Sequence, residues 1–86
     1  MDAKLLEVIT GAIRSVSKRT QTMAITAESL LVEDLALDSL DLVGVLMRLE
    51  DHYALKIELD EVPNIRTVKD LAGHLRDLLG GRAAAA

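Results

Sequence analysis

The chain has 86 residues, a formal net charge of −4, 50% hydrophobic residues, one aromatic side chain (Tyr53) and no cysteine. A domain this short buries only roughly 60% of the surface that its unfolded chain exposes, so close aliphatic packing must hold it together. Disulfides and thiolate metal sites are excluded, His52 and His74 are too few and too far apart for zinc, and the acidic balance argues against a nucleic-acid protein.

With Leu, Ile, Val, Met and Ala as its only core builders and a single proline, the sequence favours helices over strands. Met1-Asp2-Ala3-Lys4 shows no basic segment followed by an apolar block, so no signal peptide is expected. No apolar run approaches the roughly 20 residues of a membrane span. The expectation is a cytoplasmic monomer.

Leu6, Ile9, Ile13 and Val16 recur at helical spacing, and Leu5, Val8 and Ala12 widen the stripe. This predicts a first helix from about Asp2 to about Lys18, with Asp2 and Lys18-Arg19 suiting the helix dipole. Gly11 is a weak point of the kind tolerated where helices approach closely. From Arg19 to Ala36 the pattern breaks into turn formers (Thr20, Gln21, Thr22, Thr26, Ser29) and apolar anchors (Met23, Ile25, Leu30, Leu31, Leu35). That reads as a long connection pinned to the core, and loops of such length are often functional.

A second helix is predicted from Asp38 to about Tyr53, opened by an N-cap at Asp38 with Asp41 three residues on as a capping-box partner. It carries two apolar stripes: Leu42, Leu46, Leu49 and Tyr53, and then Leu40, Val43 and Met47. Two stripes exceed what one core contact needs. Leu55 to Leu59 alternates apolar and polar but has no strand to pair with, so it reads as an extended loop. A short helix follows at Asp60–Asn64, kept short by Pro63. Thr67 with Asp70 forms a second capping box for a last helix to about Leu79, which buries Val68, Leu71, Leu75, Leu78 and Leu79. Gly80-Gly81 is expected to stop it, leaving 81–86 as a disordered tail after a domain of residues 1–80. The expected fold is therefore all-α: a small four-helix bundle of three main helices and one short one, with a long loop between the first two.

The run Leu31-Val32-Glu33-Asp34-Leu35, two further residues, and then Asp38-Ser39-Leu40-Asp41 resembles the phosphopantetheine attachment segment of acyl carrier proteins. Leu49-Glu50-Asp51-His52-Tyr53 looks like the family's acidic end of helix two, and Ile65-Arg66-Thr67-Val68 like its approach to the last helix. The resemblance extends from helix one to about Leu79. An Asp-Ser-Leu tripeptide alone is weak, since a serine is common in a helix's first turn. Its place at the start of helix two, with those flanks, makes it specific.

The resemblance implies a 4′-phosphopantetheine arm, moved from coenzyme A to Ser39 by a phosphopantetheinyl transferase that holds the Mg²⁺. Asp38 would cap the helix and assist that transferase, with Leu40 beside them. The arm's thiol would bear an acyl group as a thioester and present it to acyl-transferring or acyl-condensing enzymes of fatty acid, polyketide or other specialised lipid synthesis. Leu46 is the first candidate for the wall of an acyl cavity, followed by Val45, Leu59 and Ile65. The stripe of Leu40, Val43 and Met47 would dock partners, with Asp38, Asp41, Glu50 and Asp51 meeting basic residues. The competing reading of the stripe is packing beneath the long loop. The chain departs from the family pattern at Gly44, Arg48 and His52, where acids are common, at Ala36, where a Gly is usual, and at Glu58, where a Pro is frequent. No nucleophile, base and orienting group come together, and no Gly-rich phosphate loop appears, so no enzyme activity is expected. From a different class, an unmodified helical interaction module remains the alternative.

Overall fold

A computed structural model describes residues 3–85, with side-chain surroundings given for all of them except Leu59, Glu61 and 81–85. Three α-helices build it: α1 (Ala3–Val16), α2 (Ser39–Tyr53) and α3 (Val68–Ala85), with 3₁₀ helices at Lys18–Thr22 and Leu59–Asn64. Among the described residues there is no strand, only an isolated antiparallel bridge between Leu30 and Thr67. The central helix is α1, which packs against both α2 and α3. Its apolar positions explain why. Leu5, Ile9, Ala12 and Ile13 recur every three or four residues and are all buried.

Against them pack Val45, Leu46 and Leu49 of α2, Val68, Leu71, Ala72 and Leu75 of α3, and Ile57 between those helices. The connection from α1 to α2 adds Leu31, Leu35 and Leu37, each at most 2% exposed. Among the described residues the hydrophobic core is aliphatic, and Tyr53 packs against its edge.

Several boundaries differ from the sequence pattern. Helix α1 ends at Val16, not near Lys18, because Thr20 turns the chain inward. The Thr20 side chain is fully buried and its hydroxyl donates to the Ser17 carbonyl at 2.6 Å. Arg14 reaches over this turn and donates to the Met23 carbonyl at 3.0 Å. The basic pair Lys18-Arg19 thus lies on the 3₁₀ helix, and Asp2 lies outside the described residues. The expected short helix at Asp60–Asn64 is a 3₁₀ helix from Leu59 that contains Pro63. Its ring removes a backbone donor, which suits a short helix better than a long one.

At the other end, α3 continues through Gly80-Gly81 to Ala85, past the expected end near Leu79. Glycine disfavours a helix interior by about 1 kcal/mol without forbidding it, and the alanines that follow are the best helix formers. The expectation that Gly11 marks a close helix approach is also corrected. A Cβ there would meet nothing within 4 Å, whereas one at Gly44 would lie 3.3 Å from Val16 Cγ1. The close approach of α1 to α2 is at Gly44.

Candidate functional site

The start of α2 is built by reciprocal capping. Asp38 sits in extended backbone, its Oδ1 accepts from the Asp41 N–H at 2.8 Å, and Asp41 Oδ2 accepts from the Asp38 N–H at 3.1 Å. The Leu42 N–H then closes the first helical turn on the Asp38 carbonyl. This leaves the N–H groups of Ser39 and Leu40 without acceptors among the described residues, at the end of the helix where its dipole is positive.

Of the four serines, Ser29 is buried with its oxygen accepting from the Thr26 N–H, and Ser15 donates to the Ala12 carbonyl. Ser17 is half-buried. Ser39 is exposed, and its hydroxyl has no hydrogen bond among the described residues. An exposed nucleophilic oxygen beside free N–H groups fits a phosphodiester link, because those donors and the dipole favour an anion there.

The chain leading to Ser39 is not a loose loop. Leu31, Leu35 and Leu37 anchor it, the Leu37 N–H donates to the Leu31 carbonyl at 3.1 Å, and Asp34 Oδ2 accepts from the Leu30 N–H at 2.8 Å. Ala36 takes a left-handed conformation, φ 56°. The Leu31 N–H donates to the Arg66 carbonyl and the Val68 N–H to the Ser29 carbonyl, tying this connection to the start of α3. An exposed ion pair between Arg66 and Glu33, at 3.3 Å, lies on the same junction. Such surface pairs contribute little.

Leu40, Val43 and Met47, spaced by three and four residues, share one side of α2 and are 82%, 40% and 58% exposed. Packing under the long loop is therefore excluded for this stripe. Asp38 and Asp51 are exposed and Asp41 is half-buried. Glu50 has a structural task that sequence reading missed: its carboxylate accepts from the Ile57 N–H at 2.8 Å, and its carbonyl takes the N–H groups of Ala54 and Leu55 at the end of α2. No local pattern announces a contact seven residues away.

The suggested cavity residues do not converge on one opening. Val45 and Leu46 are 1% and 6% exposed within the core, while Ile65 is half-buried and lines a groove of about 500 Å³ with Leu5, Ala72 and Arg76. The Leu59 side chain lies outside the described surroundings.

At the start of α3 the Thr67 hydroxyl accepts from the Asp70 N–H at 3.0 Å, and Asp70 Oδ2 accepts from the N–H groups of Arg66 and Thr67, both at 3.1 Å. Those backbone donors hold the Asp70 carboxyl below its usual range. Among the described residues no cluster of His, Asp and Glu has the arrangement of a metal site, and no helix is long and apolar enough to cross a membrane.

Comparison with known proteins agrees with this geometry. Residues 7–75 match the family model described as the phosphopantetheine attachment site. A probable acyl carrier protein from Caulobacter vibrioides is 34% identical over 77 residues, covering 90% of this chain and 86% of the relative. An acyl carrier protein from Syntrophobacter fumaroxidans is 36% identical over 75 residues, covering 87% and 86%. A meromycolate extension acyl carrier protein from Mycolicibacterium aurum is 31% identical over 80 residues, covering 91% and 82%. With a matched attachment-site model and relatives similar along most of their length, the chain belongs to the acyl carrier protein family, whose prosthetic group is 4′-phosphopantetheine.

Proposed function

We propose that this chain carries acyl groups as thioesters on a 4′-phosphopantetheine arm attached to Ser39. One observation carries the reading: an exposed serine hydroxyl opens a capped helix, next to N–H groups that have no other acceptor. In the loading step the Ser39 oxygen bonds to the phosphorus that bears the pantetheine. The pyrophosphate P–O bond of coenzyme A breaks, adenosine 3′,5′-bisphosphate leaves, and the serine proton passes to a base on the transferase. This chain contributes the oxygen, its position and the donors around the new phosphodiester. When bound, the arm supplies the thiol that the Cys-free sequence lacks.

The protein then works by presentation and has no catalytic role of its own. Leu40 and the exposed stripe of Val43 and Met47 form the docking side, with Asp38, Asp41 and Asp51 favouring basic partner surfaces. Glu50 belongs to this side less than its neighbours do, since its carboxylate is engaged by Ile57. Partners are the phosphopantetheinyl transferase and the acyl-transferring or acyl-condensing enzymes of fatty acid, polyketide or other specialised lipid synthesis, met by a cytoplasmic monomer. Leu46, Val45, Leu59 and Ile65 would shelter the acyl chain once the helices part. The carrier unit is residues 1–80, in which the 3₁₀ segment Leu59–Asn64 takes the place of the short fourth helix of the bundle.

Incubation with coenzyme A, Mg²⁺ and a broad-specificity transferase, followed by intact mass measurement, tests this. The wild type should gain one phosphopantetheine mass and Ser39→Ala none. If the wild type stays unmodified while still capturing partners through its apolar stripe, the chain is an unmodified interaction module instead.

A further inference from the structure

We propose that the left-handed turn at Ala36, closed by the Leu37–Leu31 backbone hydrogen bond and three buried leucines, is a positioning device that aims Ser39 at the enzyme loading the arm. The proposal rests on the carrier reading and goes beyond it, because it assigns a role to residues outside both the attachment serine and the docking stripe. Each N–H from Asp34 to Asp38 has an acceptor: the Leu30 carbonyl for Asp34 and Leu35, that of Val32 for Ala36, that of Leu31 for Leu37, and Asp41 Oδ2 for Asp38. The first free N–H along this run is that of Ser39 itself.

The run is also fixed at its far end, where Leu31 donates to the Arg66 carbonyl at 2.9 Å. Leu31, Leu35 and Leu37 are 2%, 1% and 2% exposed, so the turn cannot rotate without lifting leucines out of the core. Only three peptide bonds separate Ala36 from Ser39. A change of the Ala36 dihedral would therefore pull on Asp38 and its reciprocal bonds with Asp41, and so shift the serine oxygen at the first turn of α2 relative to the docking stripe further along the helix. A flexible arm tolerates freedom beyond the oxygen, but its installation requires that oxygen at one place, where small misplacements reduce rates strongly.

Ala54 supplies an internal control. It has the same left-handed conformation, φ 53°, at the opposite end of α2. A β-branched residue is equally unsuited to either position, so Ala36→Val and Ala54→Val should weaken the fold alike. Steady-state arm transfer with coenzyme A, Mg²⁺ and a broad-specificity transferase separates positioning from stability. Both valine substitutions are made on a Gly11→Ala background to keep them folded.

For Ala36→Val, kcat should fall about tenfold with KM changed less, since the docking stripe is intact. Ala36→Gly, which adopts the same dihedral without strain, and Ala54→Val should each stay within about twofold of wild type. Transfer to Ala36→Val within about twofold of wild type, or an equal loss in Ala54→Val, overturns the proposal. Should Ala36→Val fail to fold, amide exchange of Leu37 in the wild type decides. Protection matching the centre of α2 supports the device, and exchange at the rate of an open loop overturns it. A wild type that takes no arm at all is a different result and sinks the carrier reading.

Discussion

Ala36 and Ala54 place ordinary L-residues where the backbone is left-handed, a conformation that costs about 1–2 kcal/mol for a residue with a Cβ. Replacing either with glycine should raise unfolding stability by about 0.5–1 kcal/mol, after allowing for the greater freedom of an unfolded glycine, as read by urea denaturation. Two of the helical glycines, Gly11 and Gly44, differ in what surrounds them. Gly11→Ala has open space and should gain about 1 kcal/mol, or several degrees in Tm. Gly44→Ala gains the same propensity but presses on Val16, so its increase should be clearly smaller. None of this follows from composition: the sequence shows glycines and alanines alike, while the φ angle and the neighbour across the helix decide their effect. Only the unusual alanine before the attachment segment could be noticed beforehand, as a departure from the family pattern.

At the scale of elements, the starts of α2 and α3 were fully legible, since a cap and its partner lie three residues apart and need no tertiary information. Asp38/Asp41 and Thr67/Asp70 make the reciprocal bonds that their spacing predicts. Thr67→Ala should destabilise the protein by about 1 kcal/mol. Asp70 adds a pH dependence of definite sign. Its carboxyl is held low in the folded state by the Arg66 and Thr67 N–H groups. The stabilisation is therefore present above the unfolded value near 3.8 and lost as pH falls through the lower folded value. Asp70→Asn should be less stable at pH 7 and show a shallower loss on acidification, measured by urea unfolding from pH 7 to 3. Helix ends were less legible than starts. The inward turn at Thr20 depends on burial, and the continuation of α3 past two glycines defies a local stop signal.

Across the whole molecule, α1 packs against both partner helices through one apolar face, while α2 turns a second apolar stripe outward. Periodicity revealed both stripes, and exposure assigned them: Leu46 and Leu49 inward, Leu40, Val43 and Met47 outward. Met47 is largely exposed and lies outside the buried core, so the stability of Met47→Ser should stay within about 0.5 kcal/mol of wild type. If the stripe docks the transferase, the same change should raise KM severalfold with little effect on kcat. The residues proposed for an acyl cavity were the least legible, since Val45 and Leu46 lie in closed packing that sequence periodicity cannot distinguish from a cavity wall.

The most direct measurement is fragment-level mass spectrometry of the protein after incubation with coenzyme A, Mg²⁺ and transferase. Phosphopantetheine found on Ser39, at one group per chain, is the predicted result. No added mass, or the group on Ser15, Ser17 or Ser29, would contradict the account.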